Sequence, residues 1–264
     1  MISVLFMGRK QVSARCLEHL LQRSDVRVVG VLTDSHLEVS VTADVARSNG
    51  LPLYDYESAT RAVLEGHLTF DLGLSMLFWR KFKGELLAHP VRGIVNFHPA
   101  PLPEYKGVGG YNLAVLDGLS EWACTAHYVD DSIDTGPIVA DRIFPIDPNN
   151  ATAQSLERTS QEVLFELFTG VVDQLCATSG RLETRPNGTG GRYLSRPELE
   201  AMKKVDLEAD DLDRKIRAFW FPPYDGAYVE VGGARFTLVN RALLQDLADP
   251  QASSLFSPPS PSRA

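Results

Sequence analysis

Ile2-Ser3-Val4-Leu5-Phe6-Met7-Gly8 opens the chain as a short apolar run closed by a glycine, and its reading decides the fold. The run is too short for a helix of its own and reads as a buried strand. The chain turns at Gly8 into a helix from about Val12 to Gln22, where Cys16, Leu17, Leu20 and Leu21 recur at helical spacing. The pattern then repeats. Val26–Leu32 predicts a second strand, Val41–Ser48 a helix and Leu51–Tyr54 a short third strand. Strands alternating with helices predict a parallel, doubly wound sheet with right-handed crossovers. The G-x-G-x-x-G fingerprint is missing after the first strand, where only Gly8 stands, which argues against a nicotinamide cofactor.

Further along, Asp71–Leu77 predicts another buried strand, and the turn Phe78-Trp79 leads to a helix through Leu87. Trp122–Val129 and Ile138–Ile146 predict two adjacent strands, and Thr152 to about Thr178 a long closing helix with Leu156, Val163, Leu164, Leu167, Val171, Val172 and Leu175 on one side. The expected fold class is therefore α/β: a doubly wound, mostly parallel Rossmann-like sheet with a small C-terminal β-containing module. The turn-rich Pro186–Gly191 marks the boundary between a domain over 1–185 and a module over 191–245, and the Ser/Pro-rich tail 249–264 is expected to be disordered. In the module, helices are expected over Ser195–Lys203 and Leu212–Ala218, and a hairpin around Gly232-Gly233.

Composition narrows the function. The 264 residues carry a formal charge of −8, which speaks against a broad nucleic-acid surface. The three cysteines, Cys16, Cys124 and Cys176, are far apart with no C-x-x-C, so neither a disulfide framework nor a zinc site is expected. No basic leader precedes the first strand and no apolar run approaches about 18 residues, so a cytoplasmic protein without membrane contact is expected.

Chemistry concentrates in Val95-Asn96-Phe97-His98-Pro99-Ala100-Pro101-Leu102-Pro103-Glu104-Tyr105-Lys106-Gly107. The prolines cannot continue a sheet, so Asn96 and His98 stand where a strand stops. Residues two apart on a strand share a face; the carboxamide and imidazole aim together while Phe97 turns to the core. In a parallel sheet that place is the crevice outside the strand ends. Asp130-Asp131-Ser132-Ile133-Asp134-Thr135-Gly136-Pro137, between two predicted strands, brings carboxylates within reach of His98. By itself His127 reads as a packed or edge histidine rather than a second base, and Asp130 and Asp131 as solvated loop carboxylates.

Together, N-F-H-P-A-P-L-P-E-Y-K-G and S-I-D-T-G-P resemble the formyltransferases that use N10-formyltetrahydrofolate, over roughly residues 1–180. That resemblance implies formyl transfer to an amine, with Asn96, His98 and Asp134 as the catalytic set: Asn96 a donor to the oxyanion, His98 the base, and Asp134 the group that holds the imidazole tautomer and favours its protonated form. It further implies folate contacts at Ser75, Met76, Leu77, Phe78, Trp79 and Asp130, and acceptor contacts at Lys106 and Tyr111. Lys106 stands where the family often has Arg. Arg217-Ala218-Phe219-Trp220-Phe221-Pro222-Pro223-Tyr224-Asp225-Gly226-Ala227 is similar to a segment of family members with a small C-terminal module, including those acting on nucleotide-linked amino sugars. Trp220 and Tyr224 are the acceptor candidates there, with packing against the catalytic domain as the competing reading for the aromatic residues of that run.

The implied acceptor is a primary amine on a nucleotide-linked amino sugar, with no metal and no nucleic-acid partner. An exposed aromatic surface on the module offers a face for a homodimer. Three other readings fit the same core: a methionyl-tRNA formyltransferase, which needs a surface for RNA phosphates; a non-catalytic folate-binding module, which needs no base; and a hydrolase releasing formate, in which water replaces the amine.

Overall fold

A computed structural model describes residues 1–33 and 40–247. In chain order the elements are β1 (Ile2–Gly8), α1 (Gln11–Leu21), β2 (Val26–Leu32), α2 (Val41–Ser48), β3 (Leu53–Tyr54), α3 (Tyr56–Leu64), β4 (Leu72–Met76), α4 (Gly84–Ala88), β5 (Ile94–His98) and β6 (Tyr105–Gly107). There follow α5 (Gly110–Leu116), β7 (Glu121–Tyr128), β8 (Ile138–Pro145), α6 (Ala153–Ala177), β9 (Arg192–Leu194), α7 (Arg196–Ala201), α8 (Leu212–Ala218), β10 (Tyr228–Val231), β11 (Ala234–Thr237) and α9 (Arg241–Leu247).

Seven strands form one sheet in the order β3-β2-β1-β4-β5-β7-β8. The first five are parallel, as the alternation of strands and helices predicts, and at the far side β7 runs antiparallel to both β5 and β8. The fold is thus α/β with a mostly parallel central sheet. Both faces are covered. Val4 and Phe6 of β1 join Leu17, Leu20, Phe97, Trp122 and Phe168 on the side of α1 and α6, and their neighbours Leu5 and Met7 join Val63, Phe82, Leu86 and Ile94 on the side of α3 and α4. This division follows the two-residue period of a strand.

Caps set several helix starts. Asp55 and Ser58 form a reciprocal capping box on α3, and Thr152 and Ser155 do the same on the 25-residue α6. Most predicted bounds hold to within a few residues, with three differences. The helix expected right after Trp79 is confined to α4, because Gly84 takes a left-handed φ of 55° after an irregular stretch. Helices α3 and α9 have no counterpart in the sequence reading. Nor do the short strands β6 and β9, which pair in parallel across 87 residues of chain, Tyr105 with Arg192 and Gly107 with Leu194.

The segment after 186 joins the domain before it. Asn112 Nδ2 donates to the Ala218 carbonyl at 2.7 Å, and Val115 shares a core with Val205, Ile216, Ala218, Phe219, Ala227 and Leu243. Strands β10 and β11 form the expected hairpin around Gly232-Gly233. The tail 249–264, expected to be disordered, lies outside the described residues. No helix among the described residues is long and apolar enough to cross a membrane.

Candidate active site

Strand register assembles the site. Ser75 on β4 pairs with Asn96 on β5, and Asn96 pairs with His127 on β7. Three polar side chains therefore lie in a row across one face of the sheet. Ser75 Oγ donates to Asn96 Oδ1 at 2.8 Å, and Asn96 Nδ2 lies 3.2 Å from His127 Nε2. His127 Nδ1 faces the Tyr128 carbonyl at 2.9 Å, an acceptor, so Nδ1 carries the proton and Nε2 accepts from the carboxamide. The chain of donors and acceptors fixes which way the Asn96 amide points. Among the described residues the second N–H of that amide has no protein acceptor, and Asn96 lines the cleft.

His98 closes β5 and is buried. Its Nε2 lies 2.9 Å from the Tyr105 carbonyl and donates to it. The neutral ring thus has its lone pair at Nδ1, which faces Asp134 Oδ1 at 3.6 Å. The role of fixing the tautomer, expected of Asp134, falls to Tyr105, because at 3.6 Å the carboxylate is beyond hydrogen-bond length while the carbonyl is within it.

Asp134 sits at a left-handed φ of 55° in the loop between β7 and β8. One oxygen, Oδ2, accepts from the Gly107 N–H at 3.0 Å, and the other lies 3.5 Å from His127 Nε2 as well as facing His98. Burial pushes its carboxyl up, but the opposing effects of His98 and His127 in their charged forms and of the Gly107 N–H prevail and hold it below the usual carboxylate range. The loop is held from behind by Asn187, whose Nδ2 donates to the carbonyls of Asp134 and Gly136, both at 3.0 Å. Gly136 has to be glycine, since a Cβ there would stand 1.8 Å from the Tyr128 oxygen.

These groups open into a cleft of about 420 Å³. One wall is made by Leu77, Phe78, Trp79 and Phe82, with Ile133 beside Asp134; the rim carries Lys10, Val108, Tyr111 and Tyr193. Trp79, Ile133, Val108 and Tyr193 are exposed, and an exposed apolar lining around buried polar groups is the pattern of a ligand site. Lys10 Nζ is paired with Glu157 at 2.8 Å on the same rim.

The structure brings together Asn96, His98 and Asp134, and places Leu77, Phe78, Trp79 and Tyr111 on the cleft lining. The other expected contacts do not line it. Ser75 is fully buried and supports Asn96, and Met76 points into the core between α1 and the sheet. Asp130 accepts from Ser132 N and Thr135 Oγ1, shaping the loop rather than the cleft. Lys106 Nζ donates to the Gly190 carbonyl at 2.8 Å. Trp220 packs against the core around Phe219, and Tyr224 is exposed beside Phe221 away from the cleft. Sequence reading took His127 for a packed or edge histidine and passed over the Tyr105 carbonyl, Asn187 and Tyr193. The signal for His127 was its position opposite Asn96 once β7 is aligned antiparallel to β5; the others act through backbone groups or arrive from a distant segment.

Comparison with known proteins bears on this geometry. Residues 2–172 match the formyl transferase family. The methionyl-tRNA formyltransferase of Lactiplantibacillus plantarum is 25% identical over 255 residues, covering 89% of this chain and 77% of that protein. The methionyl-tRNA formyltransferase of Roseiflexus castenholzii is 28% identical over 265 residues, 93% of this chain and 81% of that one. Among solved structures, a 4-N formyltransferase from Francisella tularensis superposes with a TM-score of 0.78 at 18% identity, over 90% of this chain and 97% of that chain. The N-formyltransferase from Helicobacter canadensis, in complex with folinic acid and dTDP-3-aminofucose, gives 0.72 at 23% identity, over 89% and 86%. With the strand-end Asn96 and His98 and the loop carrying Asp134 inside the matched span, this enzyme belongs to the formyl transferase family.

Proposed function

We propose that the chain moves a formyl group from N10-formyltetrahydrofolate to the primary amine of a nucleotide-linked amino sugar, with Asn96, His98 and Asp134 doing the chemistry. The observation that carries this reading is Nδ1 of His98, left as the ring's other nitrogen by the bond from Nε2 to the Tyr105 carbonyl and facing a carboxylate inside a cleft. The fit to the donor rests on the wall of Leu77, Phe78, Trp79, Phe82 and Ile133, which is apolar, partly exposed and aromatic enough to hold a flat heterocycle. When bound there, the donor supplies an electrophilic formyl carbon.

The residues of the chain do the rest. His98 Nδ1 takes the proton that the attacking amine sheds, and Asp134 faces the positive charge this creates on the ring. His98 then holds that proton for return to the departing nitrogen. The second N–H of Asn96 meets the negative charge that grows on the formyl oxygen, a contact whose loss typically costs about 100- to 1,000-fold in rate.

Charge supports a small acceptor. In the C-terminal segment Lys203, Lys204, Arg214, Lys215, Arg217 and Arg235 are each paired with carboxylates of that same segment, and Arg192 with Asp117. An RNA surface needs basic groups left for phosphates. Sequence similarity to methionyl-tRNA formyltransferases makes charged initiator tRNA the second reading. Incubation with N10-formyltetrahydrofolate and either a panel of nucleotide-linked amino sugars or charged initiator tRNA tests both. Formylation of a sugar amine is expected; efficient formylation of the tRNA, with no sugar consumed, overturns the acceptor assignment.

A further inference from the structure

Strand β6 is three residues long, yet it touches both ionisable groups of the site: the Tyr105 carbonyl holds His98 Nε2, and the Gly107 N–H holds Asp134 Oδ2. So short a strand has little stability of its own. Its partner is β9, from beyond the catalytic sheet. Arg192 N donates to the Glu104 carbonyl at 2.8 Å and Val108 N to the Leu194 carbonyl at 3.3 Å, one bond at each end of the pair. The Arg192 guanidinium clasps the Asp117 carboxylate, which accepts from the Tyr105 hydroxyl at 2.8 Å, and it lies over the Tyr105 ring at 5.0 Å. Fitting β9 here also requires bare backbone, since a Cβ on Gly191 would meet the Pro103 oxygen at 1.7 Å. Five residues upstream of Arg192, Asn187 holds the Asp134 loop.

We infer that residues 187–194 are a strap that sets the catalytic geometry, with Arg192 as a positioning residue: by clamping Tyr105 through Asp117 it keeps the carbonyl on His98 Nε2 and so keeps Nδ1 basic. The strap touches neither reacting atom. It acts on the placement of β6, and a misplacement of about 1 Å at a reacting group can cost about 100-fold in rate. This inference rests on the assignment of His98 and Asp134 in the preceding section.

The test uses the full-length protein labelled with 15N-histidine. In the wild type the imidazole of His98, identified by its loss in His98→Asn, is expected to show the Nε2–H tautomer; in Arg192→Ala it is expected to move toward a mixture of tautomers. With the acceptor in hand, Arg192→Ala is expected to lower kcat about tenfold with KM for the donor within twofold, and Arg192→Lys to recover part of it. Should Arg192→Ala not fold, Asp117→Asn removes the charge that holds Arg192 while keeping an acceptor for Tyr105, and the same shift in the ring signals is expected. A folded variant with wild-type imidazole signals overturns the inference, as does a loss confined to KM. The tautomer is read without any acceptor, so a wrong acceptor assignment leaves this result standing.

Discussion

The backbone carbonyl of Tyr105 lies 2.9 Å from Nε2 of His98, and this one contact decides that Nε2 is the nitrogen carrying a proton. With Nε2–H committed to a carbonyl, the lone pair sits at Nδ1 on the side of the cleft where Asp134 lies. In the proposed reaction the carboxylate faces the charge that forms when the ring takes the proton of the amine.

Replacing His98 with Asn removes that lone pair while leaving a polar side chain of similar reach. The expected fall in kcat is about 100- to 10,000-fold, the usual worth of a general base. Binding of a reduced folate analogue, followed by calorimetric titration, is expected to stay within a few-fold of wild type. Retention of the wild-type rate removes His98 from the base role.

Ser75→Ala takes away the donor that orients Asn96. The substitution leaves Asn96 Oδ1 without that partner in a part-buried place, and about 1–3 kcal/mol of stability should be lost. The rate should fall with it, since an amide free to turn points its N–H at the formyl oxygen only part of the time. Urea unfolding and steady-state kinetics check the two halves; a destabilised variant with unchanged kcat separates Ser75 from the chemistry.

Gly136→Ala is a steric prediction. The new methyl would lie 1.8 Å from the Tyr128 oxygen, a distance no packing adjustment of a side chain relieves, because the obstacle is backbone. A cost at or above about 3 kcal/mol is expected, the upper end for an overpacked site. Thermal unfolding reads it directly, and a melting temperature equal to wild type contradicts the crossing of the two segments.

Asp134 gives the pH dependence. Against burial, which raises it, His98, His127 and the Gly107 N–H hold the folded carboxyl below its ordinary value. A depressed pKa in the folded state contributes stability that is fully present above the unfolded value, about 3.9, and is lost as pH falls from there toward the folded value. The gap in unfolding free energy between wild type and Asp134→Asn should therefore be present at pH 5 and shrink as pH drops below about 4. Urea midpoints taken from pH 5 to pH 3 check the sign; a gap that widens on acidification contradicts it.

Much of the fold was legible in periodicity: the apolar run of β1, the repeat of strand and helix, and the long apolar stripe of α6 all depend on neighbours in sequence. The place of Asn96 and His98 at a strand end was legible because a proline follows them, and a strand that must stop places its last side chains at an edge. Where Lys106 and Trp220 turn was not legible, for the opposite reason. A charged or aromatic side chain in a loop carries no mark of which way it turns, and here Lys106 turns to the Gly190 carbonyl and Trp220 to the core around Phe219.

By itself the sequence determined which segments are strands, where β5 ends and which side chains are available there to handle a proton. Only the tertiary structure decided how they are used: it set His127 opposite Asn96, gave the Tyr105 carbonyl to His98, and brought Arg192 across 75 residues to Asp117. The reason is physical. Backbone groups are the same at every position, so which of them meets a given side chain is written only in how distant parts of the chain pack.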